Sequence, residues 1–256
     1  MSIVDKVVAG TPCWFDLMTP DPEGARKFYG ELFGWTFDVS GPEMGHYAMC
    51  KKGEHNTAGM GKMPENAPFP TCWTVYLATE NSEASIEAIR ANGGQVNMGP
   101  MDVPGEQGRM TVAVDPTGAV FGLWQPMKHR GSTLRDEHGA MTWAECATRE
   151  SAKAAEFYSK VLGAEAKKLD TEGMDYTTLN VGGMMTSGIM QMDASFPPAI
   201  PAHWMGYFSV DDADAACEKI KSLGGKVMHG PFDSPYGRIA VVTDPYGAVF
   251  SIIKNS

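Results

Sequence analysis

Two acidic residues in otherwise apolar stretches could carry out acid–base chemistry. Asp16 and Glu145 each stand two positions after a tryptophan, Trp14 in one case and Trp143 in the other. Residues two apart on a β-strand point to the same face, so each acid is expected beside an indole ring. A carboxyl group in such surroundings has a raised pKa and can act as a general base towards a carbon acid. The simpler interpretation makes both acids hydrogen-bonding groups at a strand edge.

Other catalytic signatures are weaker. The sequence has no Gly-x-Ser-x-Gly nucleophile motif and no Gly-Lys-Ser/Thr loop of the kind that holds phosphate. The five cysteines form no Cys-x-x-Cys pair, which indicates free thiols in a reducing compartment. A cysteine–histidine nucleophile stays open, because such partners meet only in the folded chain.

The charge balance argues against polyanionic partners. The 256 residues carry a net charge of −10, whereas nucleic acids and anionic membranes demand a basic face. No apolar run approaches the length of a membrane span, and the first residues lack the apolar stretch of a signal peptide. We therefore expect a cytoplasmic protein that binds a small organic molecule, and neither nucleic acid nor a membrane.

The chain contains a long internal repeat. The segment Asp115–Phe121 reads Asp-Pro-Thr-Gly-Ala-Val-Phe, and Asp244–Phe250 repeats it with one change, at an offset of 129 (244 − 115). This predicts a first domain at 1–127, a polar linker at 128–138 and a second domain at 139–256. Because the duplication supplies an internal partner, we expect a monomer with a pseudo-twofold axis, or else a homodimer.

Each copy is predicted to contain the order βαβββ twice. Asp21 and Pro22 suit the start of a first helix, and Gly34 suits its end, as Gly163 does in the second copy. Apolar residues with helical spacing follow each start: Ala25, Phe28, Tyr29, Leu32 and Phe33, then Ala154, Phe157, Tyr158, Val161 and Leu162. The offset between copies rises to 131 in the later half of each, and a longer loop around 104–108 restores it to 129.

This order of elements, with Phe-Tyr on the first helix and an Asp-Pro-x-Gly hairpin, resembles the vicinal oxygen chelate superfamily. That superfamily includes glyoxalase I, bleomycin-resistance and fosfomycin-resistance proteins, and extradiol dioxygenases. Residues 10–17 and 28–35 are most similar to two-copy glyoxalase/bleomycin-resistance-like proteins common in actinobacteria. The resemblance implies an α+β fold of two tandem domains, each made of two βαβββ modules whose curved mixed sheets surround a cup. It also implies a divalent metal, which enzymes of the superfamily usually hold in the cup through His, Gln or Glu.

The metal-ligand positions implied by the resemblance carry unsuitable side chains here. They lie on the first and last strands of the modules and fall on Trp14, Thr74, Gly122, Trp143, Met205 and Ser251. Zinc, iron, manganese and nickel need imidazole, carboxylate or thiolate ligands. We therefore expect no metal cofactor. A register shift of two residues would instead bring Glu145 and His203 to ligand positions, so a divalent transition metal is the alternative.

With these side chains the cup is expected to be apolar and aromatic, although strand tryptophans are also common in cores. Such a lining suits a flat organic molecule held by stacking and burial. The candidate catalytic residues are Asp16 and Glu145, and the candidate ligand-binding residues are Trp14, Trp73, Trp124, Trp143, His203, Met205 and Tyr207. The main hypothesis is a metal-free protein that binds a small hydrophobic or aromatic metabolite or antibiotic. The alternative is a lyase, isomerase or dioxygenase that uses a non-standard metal site or a carboxylate base.

Overall fold

Two β-sheets, each built mainly from one half of the chain, dominate the computed structural model, which describes residues 2–170 and 174–256. The first half contains β1 (Ser2–Ile3), β2 (Pro12–Thr19), α1 (Pro22–Phe33), β3 (Thr36–Val39), a 3₁₀ turn (Pro42–Met44), β4 (Ala48–Lys52), β5 (His55–Lys62), β6 (Cys72–Ala78), α2 (Ser82–Ala91), β7 (Gln95–Val103), β8 (Gly108–Val114) and β9 (Val120–Pro126). The second half contains β10 (Leu134–Arg135), β11 (Met141–Thr148), α3 (Ser151–Leu162), β12 (Glu165–Leu169), β13 (Tyr176–Val181), β14 (Met184–Gln191), β15 (His203–Ser209), α4 (Ala213–Ser222), β16 (Lys226–Ser234), β17 (Gly237–Thr243) and β18 (Val249–Asn255). The predicted α+β fold, with two tandem domains of two βαβββ modules each, is confirmed.

Both sheets have the same strand order. The first runs β3-β4-β5-β2-β6-β9-β8-β7, and the second runs β12-β13-β14-β11-β15-β18-β17-β16. The opening strands of the two modules, β2 with β6 and β11 with β15, pair antiparallel at the centre. Side chains from both modules therefore converge at the middle of each sheet. The short strand β10, inside the predicted linker, pairs with β1 and β11 and so joins the second sheet.

The helices begin and end close to the positions predicted from the sequence. The Asp21 carboxylate accepts a hydrogen bond from the Gly24 amide over 3.0 Å, and Pro22 opens α1. Gly34 and Gly163 end α1 and α3 in the left-handed conformation, with φ of 68° and 66°. No helix of the described residues is long and apolar enough to span a membrane.

The two sheets and the helices share one core. Phe15 of β2 meets Phe208 of β15 with ring centres 5.4 Å apart, and Trp73 of β6 lies 5.2 Å from Phe208. A Cβ added at Gly206 would come within 2.8 Å of the Phe15 ring. The missing side chain at Gly206 therefore lets the two sheets approach back to back, with their other faces turned outward.

Two reciprocal hydrogen bonds join the halves inside this core. The aspartates of the Asp-Pro-x-Gly turns, Asp115 and Asp244, each accept backbone amides of their own turn at Oδ1. Their other oxygens accept a tyrosine hydroxyl from the opposite half, Tyr158 to Asp115 over 2.9 Å and Tyr29 to Asp244 over 3.1 Å. Each half therefore completes a buried polar group of the other.

Candidate functional site

The candidate site lies on the face of each sheet that points away from the shared core. Phe15 is turned into the core, so its neighbours Trp14 and Asp16 on β2 point the other way. On β11 the core residues are Ala144 and Cys146, so the same alternation turns Trp143 and Glu145 outward. We call the outward face of the first sheet the first cup and that of the second sheet the second cup.

In the first cup an acid is held between two phenol groups. Trp14 donates from Nε1 to the hydroxyl of Tyr47 over 3.1 Å. The hydroxyls of Tyr47 and Tyr76 hydrogen-bond to the carboxyl group of Asp16. Tyr76 stands opposite Trp14 in the pairing of β2 with β6. The acid therefore lies where the two modules of the half meet.

The second cup repeats this arrangement with glutamate in place of aspartate. Trp143 donates from Nε1 to the hydroxyl of Tyr176 over 2.9 Å, and the Tyr207 hydroxyl donates to Oε1 of Glu145 over 3.2 Å. Tyr176 also hydrogen-bonds to Glu145. The tyrosines of the two cups are equivalent, at the repeat offsets of 129 (176 − 47) and 131 (207 − 76). We call this arrangement the Trp-Tyr-acid-Tyr network.

Glycines on neighbouring strands make room for this network. A Cβ added at Gly59 of β5 would lie 1.6 Å from the hydroxyl oxygen of Tyr47. A Cβ added at Gly188 of β14 would lie 1.9 Å from the hydroxyl oxygen of Tyr176. Both tyrosines thus lie directly against backbone, which fixes their hydroxyl groups beside the acids.

Burial raises the pKa of both acids. It raises the pKa of Asp16 from its ordinary value of 3.8 to about 7, although the hydrogen bonds from its two tyrosines act in the opposite direction. The pKa of Glu145 is also raised, first by burial and again against two tyrosine hydrogen bonds. Oδ1 of Asp16 is buried and has no hydrogen-bond partner within the described part of the chain. Near neutral pH, Asp16 can therefore accept a proton or a further hydrogen bond.

The tryptophan end of the first cup is covered by the segment that connects the halves. The His129 ring lies edge-on to Trp14 and to Trp124, with centres 4.4 and 5.4 Å apart. The Trp124 indole donates to the His129 carbonyl over 2.8 Å. Burial lowers the pKa of His129 to about 4, so its ring is neutral at physiological pH. Trp14 and Trp124 are consequently only 4% and 6% exposed.

The tryptophan end of the second cup is more open. Trp143 is partly exposed, whereas the chain's five other tryptophans are all buried. Tyr207 and Met205 are likewise partly exposed. Glu145, by contrast, is 6% exposed and lies at the base. The second cup therefore presents an accessible indole ring above a buried acid.

Of the predicted ligand-binding residues, those on β15 lie together in the second cup. Met205 stands opposite Glu145 and His203 opposite Ala147, with Tyr207 farther along the same face. Nδ1 of His203 lies 2.9 Å from the Pro201 carbonyl, which can only accept, so that nitrogen carries the proton. His203 lies two residues before Met205 on β15 and so on the same face of the strand.

The prediction that Trp73 lines a cup is wrong. Its Nε1 donates to the Tyr29 hydroxyl over 3.0 Å inside the shared core. Trp73 adjoins Thr74, which stands opposite Asp16 in the first cup, and successive strand residues face opposite ways. The indole ring therefore belongs to the packing between the halves.

The side chains of the cups do not fit a transition-metal ion. The six positions implied by the family resemblance present indole, hydroxyl or thioether groups, or no side chain at all. No cluster of three His, Cys, Asp or Glu residues suited to an ion occurs within residues 2–170 and 174–256. The shifted pair of Glu145 and His203 supplies two donors, whereas catalytic zinc sites use three protein ligands. Each cup thus offers a single carboxyl group, which also takes part in hydrogen bonds with tyrosines.

Several residues of the site were not predicted from the sequence. They are Tyr47, Tyr76 and Tyr176, which with Tyr207 recur at the same offsets as the motifs that define the repeat. The signal for them is that these tyrosines are retained at equivalent positions of the two copies. His129 carries no comparable signal, because its position depends on the path of the connecting segment.

Known proteins match along nearly the whole chain. A model of the Glyoxalase/Bleomycin resistance protein/Dioxygenase superfamily matches residues 11–123 and again 140–252. A Mycobacterium tuberculosis protein named "Putative glyoxylase CFP32" is 40% identical over 252 residues, covering 96% of this chain and 95% of its own. The "Anthracycline biosynthesis protein DnrV" of Streptomyces peucetius is 33% identical over 263 residues, covering 97% and 94%.

Solved structures share the fold. The Mn(II)-bound glyoxalase from Novosphingobium aromaticivorans superposes with a TM-score of 0.65 at 14% identity, over 96% of this chain and 82% of that one. The 2,3-dioxygenase LapB from Pseudomonas sp. KL28 gives a TM-score of 0.65 at 13% identity, over 98% and 93%. At these identities the likeness concerns the fold alone.

Proposed function

The chain belongs to the glyoxalase/bleomycin resistance protein/dioxygenase superfamily, and we propose that it binds a small aromatic or hydrophobic molecule in a cup without a metal ion. The observation that carries the proposal is the Trp-Tyr-acid-Tyr network, which occurs in both halves. Its rings offer a flat apolar surface, and its acid offers one hydrogen-bond acceptor. That combination suits a planar ring system with a hydroxyl or amino group at its edge.

The name of one relative is compatible with this chemistry. DnrV is named for anthracycline biosynthesis, and a flat polycyclic ring system is the kind of molecule that such a lining holds. Burial of about 250 Å² of aromatic surface stabilises a complex by about 6 kcal/mol before the entropic cost of association. Because about 6 kcal/mol corresponds to about 40 μM and association costs part of it, the expected dissociation constant lies between about 40 μM and 1 mM.

Titration with planar probes tests the proposal. Tryptophan fluorescence and calorimetry would follow the binding of 1,8-dihydroxyanthraquinone and 2-naphthol to protein treated with EDTA. Trp143→Ala should weaken binding about tenfold or more, because it removes the accessible indole ring. Tyr236→Ala, at an exposed aromatic residue that is not part of the network, is the matched control. Failure of every planar probe to bind would contradict the proposal.

A second candidate function is metal-independent proton transfer. It is favoured by Asp16, whose pKa of about 7 and unpartnered Oδ1 suit a general base. Solvent deuterium exchange into carbon acids small enough to reach Asp16 in the first cup beside His129 would detect it. Asp16→Asn should abolish the exchange without unfolding the chain, and the wild-type rate should rise through pH 7 as the carboxyl group ionises. If a carbon acid binds but exchanges no deuterium, the proton-transfer function is contradicted and only the binding function remains.

A further inference from the structure

The two cups differ in what covers their tryptophans. The first cup has an imidazole ring against Trp14, whereas Trp143 in the second cup is partly exposed. Nε2 of His129 is buried and has no hydrogen-bond partner among residues 2–170 and 174–256, so the ring packs as a neutral planar group. It lies edge-on to the Trp14 indole with ring centres 4.4 Å apart, a separation typical of packed aromatic rings.

The backbone around His129 is fixed from both sides. The amides of Met127 and His129 donate to the Gln107 carbonyl over 3.2 and 2.9 Å, and the Lys128 amide donates to Glu106 over 3.0 Å. Farther along, the Ser132 amide donates to the Cys13 carbonyl over 2.8 Å. The segment is therefore bound along its length to the rim of the first cup.

The loop that holds this segment is the one that differs in length between the copies. Residues 104–107 connect β7 to β8, whereas 235–236 connect the equivalent strands β16 and β17. Glu106 and Gln107, which accept the amides of the segment, lie within the longer loop. The loop that is two residues longer in the first copy is thus the loop that binds the backbone around His129.

We propose that His129 occupies the aromatic end of the first cup as a built-in ring, so that Trp143 in the second cup is the stacking surface for the ligand. This inference rests on the proposed function for its ligand, and it gives that function a location and a stoichiometry. One planar molecule binds per chain. His129 thereby determines which of two equivalent networks is available.

Acrylamide quenching tests the cover without any ligand. In the wild type only Trp143, of six tryptophans, is open to the quencher, and Trp143→Phe should remove nearly all quenching. Adding His129→Ala to Trp143→Phe should restore quenching, from Trp14 and Trp124. Lys128→Ala, an exposed neighbour in the same segment, is the control and should restore none. Unchanged quenching in the His129→Ala double variant would overturn the inference.

Titration with 1,8-dihydroxyanthraquinone tests the location. At a probe concentration that just saturates the wild type, the expected numbers of molecules bound per chain are one for wild type, well below one for Trp143→Ala, two for His129→Ala, and well above the Trp143→Ala value, close to one, for the double variant. Two molecules bound by wild type, or one retained by Trp143→Ala, would refute the assignment. If no variant binds the probe, the proposed function fails while the quenching result still decides whether His129 covers Trp14. His129→Asn repeats both measurements should the alanine variant unfold.

Discussion

Replacing Asp16 with asparagine should remove part of the pH dependence of folding stability. Burial raises the pKa of this carboxyl group from 3.8 to about 7 in the folded chain. An acid with a higher pKa in the folded state holds its proton more tightly there. Its contribution to stability is therefore complete below about pH 4 and is lost as the pH rises to about 7. A difference of about three pH units corresponds to about 4 kcal/mol, or about 1.4 kcal/mol per pH unit inside that window.

Urea unfolding followed by tryptophan fluorescence, at intervals between pH 4.5 and 8, would measure this effect. The free energy of unfolding of the wild type should fall relative to Asp16→Asn as the pH rises to 7, and the difference should then level off. Groups that both proteins retain, including Glu145, cancel in the comparison. Asp38→Asn, at an exposed acid of the same sheet, controls for the removal of a charge. A difference that stays constant from pH 4.5 to 8 would show that the Asp16 carboxyl group ionises normally, and would refute the reasoning.

Three further predictions concern packing, the contact between the halves and metal content. Gly59→Ala should cost about 1–3 kcal/mol in urea unfolding, because its Cβ would lie 1.6 Å from the Tyr47 hydroxyl oxygen. Gly30→Ala in α1, where the nearest heavy atom is 3.4 Å away, should instead stabilise by up to about 1 kcal/mol; equal effects would contradict the argument. Tyr158→Phe should lower stability by about 2–4 kcal/mol in the same assay because it removes the hydroxyl that donates to Oδ2 of Asp115, and a neutral result would mean that this bond contributes little. Elemental analysis after purification without chelator should find no stoichiometric transition metal, and one bound ion per chain would overturn the metal-free proposal.

Local features of the fold could be predicted because short-range chemistry determines them. Asp21 and Gly34 bound α1 as expected, since a cap and a left-handed residue act within one helical turn. Trp73 was misplaced because an aromatic residue on a strand suits a core and a cup equally well, and a one-residue difference in register decides between them. His129 could not be predicted, because it meets Trp14 at a separation of 115 positions (129 − 14) through a loop without regular structure.

The crossed bonds between turn aspartates and helix tyrosines bear on how such a chain can arise. Each half carries one such aspartate and one such tyrosine, and each aspartate is paired with the tyrosine of the other half. Two identical single-length chains would satisfy both contacts by associating back to back in the same way, so gene fusion would need no new interaction. For the same reason, either half expressed separately would lack the hydroxyl donor to one oxygen of its turn aspartate until it met a complementary copy.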